Sequence, residues 1–184
     1  DRYTFLIYHS LAPNKTHLIG DGLEHSNSTL ILLYMPLDIP TIRQNIYGIA
    51  SHEFFHTLMP LGLHSHEIEH YDYNEPKFSK HLWLYEGMTE YFTMHMPVKT
   101  GLHTEKEFLK AVEEKIAVMK QFNADLAITD LSLNPMEMQE EYYNVYLKGA
   151  LINLCLDIKL RELSGGKYGT KDLVLQLTER YGKG

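Results

Sequence analysis

One five-residue pattern occurs twice in this sequence, as HEFFH from His52 and as HEIEH from His66, fourteen residues further on. Both have the HExxH form, in which a helix presents two histidines and a glutamate to a zinc ion. A helix turns about 100° per residue, so positions i and i+4 lie about 40° apart and their two imidazoles can grip one cation. The glutamate at i+1 points about 100° away from the first histidine, where it reaches a water at the ion without occupying a coordination position. The chemistry on offer is hydrolysis by a metal-activated water. It demands a real helix, rigidly held, and a third protein ligand.

HEFFH meets the first demand. Thr41 follows a proline and opens a breaker-free run, IRQNIYGIASHEFFHTLM, that lasts until Pro60. Ile46, Ala50, Phe54, Phe55, Leu58 and Met59 occupy its other faces, a pattern that predicts a helix apolar nearly all round and therefore buried. Buried there, His52, Glu53 and His56 need a ligand to offset their lost hydration. HEIEH lacks that setting. Pro60 and Gly62 precede it, Pro76 follows, and Ile68 is its one apolar residue. With His64 beside it, this segment reads as a solvated His- and Glu-rich loop, with an accessory metal site as the lesser alternative.

The best source of a third ligand is HLWLYEGMTEYF, where Glu86 and Glu90 lie one turn apart on one face. Gly87 next to Glu86 permits close approach of a neighbouring helix. Spacing alone does not choose between the two glutamates, nor between a ligand and an ion-pair partner.

The elements that must hold these residues follow from the local signals. YTFLIY and STLILLYM are rich in β-branched and aromatic residues and predict strands, with the Gly/Asn/Asp-bearing GDGLEHSN between them. Ser79 offers a cap for a helix through KHLWLYEGMTEYFTMHM that stops before Pro97. Thr104 and Glu107 form a capping box for the next helix, in which Phe108, Val112, Ile116 and Met119 recur at helical spacing and should face the core. Asn134-Pro135 marks a turn. A helix from about residue 140 to 163 should end at Ser164-Gly165-Gly166, and a last one should run from Thr170 to Tyr181 with Gly182 as its stop. The expected fold class is α+β, a small β region followed by a mostly α-helical body.

With 184 residues, 44% of them hydrophobic, the chain is long enough for one well-filled core, and a single domain is expected over 1–184. A formal charge of −7 and the lack of any Lys/Arg run argue against nucleic acid or anionic membrane as partners. The longest apolar run, Leu30 to Met35, is far short of a membrane span. One cysteine, Cys155, excludes an internal disulfide and is expected to pack as a small hydrophobe. A periplasmic or other extracytoplasmic location is expected ahead of a cytoplasmic one.

SHEFFH followed by LWLYEGMTEYF, with GLEHSNS upstream and VYLKGALINLCLDIKLRELSGGK downstream, resembles the glycyl aminopeptidase family of zinc peptidases. The likeness runs from about Gly20 to Gly182, and all four segments come in the family's order. It implies a thermolysin-like catalytic domain holding one zinc ion on His52, His56 and Glu86, with Glu53 as general base. It also implies that Tyr146 stabilises the oxyanion, although Tyr142 and Tyr143 are adjacent rivals. GLEH, Gly22 to His25, resembles the strand that such enzymes lay along the substrate, with Gly22 and Glu24 as substrate-binding residues. Glu24 would pair with the free α-amino group, so the expected substrate is a peptide with an open amino terminus, Gly or Ala first.

The chain departs from the family after His56, where TLMPLGLHSHEIEH replaces the usual tryptophan-asparagine-basic stretch. The β-rich amino-terminal domain and the PDZ-like carboxy-terminal region of such proteins are not visible, so the expectation is a fragment that works with further domains. Two other readings fit the same residues: a zinc endopeptidase, and a catalytically weak binding or scaffold domain of the same fold.

Overall fold

The β-branched and aromatic residues at the amino-terminal end form two seven-residue strands, β1 (Thr4–Ser10) and β3 (Ser28–Tyr34). Between them lies a third strand, β2 (Gly20–Glu24), on the segment whose GLEH resembles a strand by family likeness although its glycines and acids give no strand signal of their own. The computed structural model describes residues 2–12, 19–34 and 36–182, so Met35, the end of the second predicted strand, lies outside the described residues. These residues fall into two compact units, Asp1–Thr57 and Leu58–Gly184.

In the first unit the strand order is β1-β3-β2, with β1 parallel and β2 antiparallel to β3. Pairing explains why GDGLE is a strand despite its glycines: β3 supplies the ladder partners, Leu33 for Gly20, Ile31 for Gly22 and Thr29 for Glu24. Thr29, Ile31 and Leu33, alternate residues of β3, are fully buried. Residues directly opposite share a face, so Gly20, Gly22 and Glu24 belong to that buried side, while Asp21 and Leu23 are exposed.

Helix α1 (Ile39–Phe55) packs on this sheet. Asp38 caps it by accepting a 2.7 Å hydrogen bond from the Thr41 N–H, and Pro40 sits in the first turn, where its missing N–H costs nothing. The expectation of a helix buried all round is corrected here. Ile39 is 66% exposed and Phe54 42%, and Glu53 is the buried residue within α1. The apolar residues point two ways, one set onto the sheet and another outward.

The second unit is helical: α2 (His66–Glu69), α3 (Leu82–Lys99), α4 (Glu105–Met119), α5 (Ile128–Leu133), α6 (Asn144–Ser164) and α7 (Thr170–Tyr181). Its centre is the α3–α6 pair. A Cβ added to Gly149 would lie 2.7 Å from the Trp83 carbonyl oxygen and 2.9 Å from the Gly87 Cα, so the two helices cross at backbone contact through Gly87 and Gly149. Tyr91, Phe92, Leu131, Val145 and Val174 fill the core around this crossing.

A buried polar knot ties α3, α6 and α7. Asp157 accepts from the Tyr91 hydroxyl (2.8 Å), Arg161 Nε (2.7 Å), and the Thr170 N–H (2.6 Å) and hydroxyl (2.9 Å). Burial disfavours its charge, yet these donors outweigh burial and hold the carboxyl down at about 2.

Local punctuation is confirmed in several places. Thr104 and Glu107 make the capping box, Gly165 ends α6 at φ 62°, and α7 has the predicted bounds. Elsewhere packing intervenes. Pro97 lies inside α3, near its end, and the helix continues to Lys99. The cap of α3 is His81, while the Ser79 hydroxyl accepts from the His81 N–H just before it. Helix α6 begins at Asn144, preceded by turns, and the short α5 has no counterpart among the sequence expectations.

Ile116 is 39% exposed rather than in the core, because α4 turns Phe108, Ala111, Val112 and Lys115 inward instead. Cys155 is exposed. The buried face of α6 carries Val145, Gly149, Ala150, Asn153 and Asp157, and two positions beyond Asn153 a side chain has turned about 200°, to the opposite side. Among the described residues no helix is long and apolar enough to cross a membrane.

Candidate functional site

HEFFH occupies the last turn of α1. His52 and Glu53 are helical, and His56 is the carboxy-terminal cap with right-handed backbone angles, φ −62° and ψ −16°. The helical spiral therefore persists through the motif, and the two imidazoles face each other edge-on, with ring centroids 4.8 Å apart and planes at 84°. His56 is 5% exposed and Glu53 8%. For Glu53 the sheet contributes to that burial, since α1 lies over β2 and β3 and the Glu53 side chain lies against Gly22.

Glu86 sits in the second turn of α3, immediately before the Gly87 crossing point. Its carboxylate is near Tyr142: burial raises the Tyr142 hydroxyl above its ordinary range, a hydrogen bond with Tyr146 opposes this, and the negative charge of Glu86 adds to the rise. Tyr142 and Tyr146 are themselves in hydroxyl contact at 3.3 Å. Tyr143 is different, with 55% of its surface exposed. Of the three rivals, Tyr142 and Tyr146 form a half-buried pair in hydroxyl contact, with Glu86 near Tyr142, while Tyr143 is exposed with its ring 6.0 Å from that of Tyr146.

Spacing left Glu86 and Glu90 equal, and the structure separates them. Glu90 receives the Lys115 ammonium of α4 at 2.5 Å, with the lysine side chain only 12% exposed. Lys115 belongs to a face that sequence reading treats as solvated, and nothing in its local pattern signals this partner. Glu86 instead joins the histidines: His52, His56 and Glu86 each offer one ligand atom, all within 4.8 Å of one another. Two imidazoles and one carboxylate are a donor set that suits a divalent cation.

The second motif folds otherwise. HEIEH supplies α2, a single turn of four residues with none buried, where a plain loop is expected from the sequence. The Ser65 N–H donates to the Tyr85 hydroxyl at 2.9 Å and the Ser65 hydroxyl to that of Ser79 at 2.9 Å, which anchors the turn's start. His66 and His70 lie ring beside ring, centroids 4.3 Å apart and planes at 35°. His64 is engaged between the Pro60 carbonyl oxygen (2.6 Å) and Glu69 (2.7 Å). The His52–His56–Glu86 group includes none of these residues. Glu24 is half-buried at the end of β2, on the same face as Gly22 and thus on the side that α1 covers.

The sequence profile of M61 glycyl aminopeptidases matches residues 45–152. Among solved structures, an aminopeptidase N family protein from Idiomarina loihiensis superposes with a TM-score of 0.83 at 27% sequence identity, over 98% of this chain and 32% of that one. The chain therefore spans about a third of the length of that relative. No curated protein matches.

Proposed function

Because this chain belongs to the M61 glycyl aminopeptidase family, we propose that it is the thermolysin-like catalytic domain of a zinc-dependent aminopeptidase. The observation that carries the reading is the approach of His52, His56 and Glu86 to within 4.8 Å, with Glu53 buried beside the histidine pair. His52, His56 and Glu86 would hold the ion. Zinc bound there, one per chain, supplies a Lewis acid that acidifies water and polarises a peptide carbonyl.

The remaining work falls to this chain's own residues. Glu53 takes the proton from the attacking water on its carboxylate and delivers it to the departing amine, so its charge is restored in each cycle. The Tyr146 hydroxyl donates to the oxygen on which negative charge develops, and its contact with Tyr142 steadies its orientation. Glu24, on the covered side of β2, meets the free α-amino group of the peptide. An ammonium beside a fixed carboxylate is favoured, while a blocked terminus leaves the carboxylate unpaired, which selects against such substrates. A first residue of glycine is the preference that the family name supports, and alanine, the next smallest residue, is expected beside it.

The test is metal content together with cleavage of glycyl and alanyl reporter peptides, each with the amino group free and blocked. We expect about one zinc per chain, hydrolysis of the free forms only, and a Glu53→Gln variant that keeps zinc and loses activity. Loss of zinc in that variant would refute the role of Glu53. Equal cleavage of blocked peptides would make the protein an endopeptidase, and zinc binding without turnover would leave a binding domain.

A further inference from the structure

Gly22 stands in the middle of a strand, where glycine is a poor choice. It lacks a side chain to pack and loses more conformational freedom on folding than any other residue. The backbone does not require it, since among the described residues positive φ angles occur at Gly101, Gly165 and Gly166 only. Nor does the sheet: its partner Ile31 is a buried branched residue in ordinary antiparallel pairing.

What a side chain at position 22 would meet is Glu53. A Cβ built there lies 2.5 Å from Glu53 Oε1, 2.6 Å from Cγ and 2.7 Å from Cδ. Those are the three nearest heavy atoms, and all belong to one residue. Gly20, two positions earlier, faces a different environment, with Ile49 Cδ1 at 2.7 Å, Leu33 Cδ2 at 2.9 Å and a backbone oxygen at 3.2 Å. The two strands of contact are in step. Two residues of strand advance about 6.6 Å and four residues of helix about 6 Å. Gly20 therefore meets Ile49 and Gly22 meets Glu53. Gly20 makes room for packing, whereas Gly22 makes room for a carboxylate.

We propose that Gly22 is a positioning residue for Glu53, its missing side chain forming the slot that holds the carboxylate in its working orientation. The proposal rests on the reading of Glu53 as the general base. A methyl group at position 22 would force Glu53 rather than the backbone to move, because the obstructing atoms are the Cγ, Cδ and Oε1 of its flexible side chain. It would turn the carboxylate aside, and a misplacement of about 1 Å at a reacting group costs about 10²-fold in rate. This role differs from a backbone contact with substrate, which would show in KM.

The experiment is a double-substitution cycle in the full-length protein, with Gly22→Ala and Glu53→Ala singly and together, read by thermal unfolding, zinc content and steady-state kinetics. Gly22→Ala is expected to retain zinc and to lower kcat by about 10²-fold with KM changed less than about threefold. It should lower Tm when Glu53 is present and leave Tm unchanged or raised when position 53 is alanine. A Gly22→Ala protein that fails to fold while the double variant folds supports the slot equally. The same Tm change in both backgrounds, or a defect confined to KM, overturns the proposal. A wild-type protein that cuts no peptide but shows the Tm coupling overturns the peptidase reading instead, and leaves Gly22 and Glu53 as structural partners only.

Discussion

HEFFH and HEIEH are the same pattern in two different mechanical settings. The first ends a helix of 17 residues that lies on a sheet; the first four residues of the second are the whole of a single helical turn with no buried position. In the first the imidazoles stand edge-on at 84°, and in the second they lie more nearly flat on each other at 35°. An isolated turn of helix is unstable because nucleation fixes several dihedrals for a single hydrogen bond. A metal site needs its ligands held before the ion arrives, and only the helix packed on a sheet does that. Glu86 makes the same point, since it comes from an 18-residue helix locked against α6 through Gly87 and Gly149.

The contrast breaks most directly at the histidines. His56→Ala should abolish both stoichiometric zinc and peptide hydrolysis, whereas His66→Ala with His70→Ala should leave zinc content and rate within about twofold of wild type. Elemental analysis beside a peptidase assay decides it, and the reverse pattern would move the site to the second motif. The next effect concerns the helix that faces Glu86. Tyr146→Phe should slow hydrolysis by about 10²-fold with zinc retained, while Tyr143→Phe, at the exposed position, should have little effect.

A third, smaller effect tests the frame behind Glu86. Asp157 titrates at about 2 in the folded protein, below the ordinary carboxylate value of 3.8. A depressed folded value means that stability is present above the unfolded value and is lost as pH falls through the folded one. About 2 kcal/mol should therefore disappear between about pH 4 and pH 2. In Asp157→Asn that part of the acid dependence should vanish, which unfolding midpoints measured across the range would show.

The smallest effect sharpens the account of the first motif. Gly48 lies within α1 with nothing inside 4 Å of an added Cβ. Gly48→Ala should stabilise the protein by about 0.5–1 kcal/mol without altering kcat, as read from Tm and kinetics.

Much of the frame is legible along the chain because its signals are local. The capping box Thr104–Glu107, the glycines after Ser164, the bounds of α7 and the helix that carries HEFFH all depend on neighbours within a turn or two. Where a long-range partner decides, the local signal fails. GDGLE becomes a strand because β3 pairs with it, α3 runs through Pro97 although proline usually ends a helix, and Lys115 turns inward because Glu90 awaits it. Cys155 is exposed because the buried face of α6 is chosen by α3.

The sequence by itself determined that an HExxH helix exists, that it needs a third ligand, and that a glutamate followed by glycine on a later helix could supply one. Context and resemblance along the chain also point to His52, His56 and Glu86. Only the tertiary structure decided that Glu90 is taken by the Lys115 ammonium while one ligand atom from each of those three lies within 4.8 Å of the others. The physical reason is range: hydrogen bonds within a helix are set a few residues away, whereas an ion pair such as Glu90–Lys115 joins residues 25 positions apart and is set by how whole helices pack.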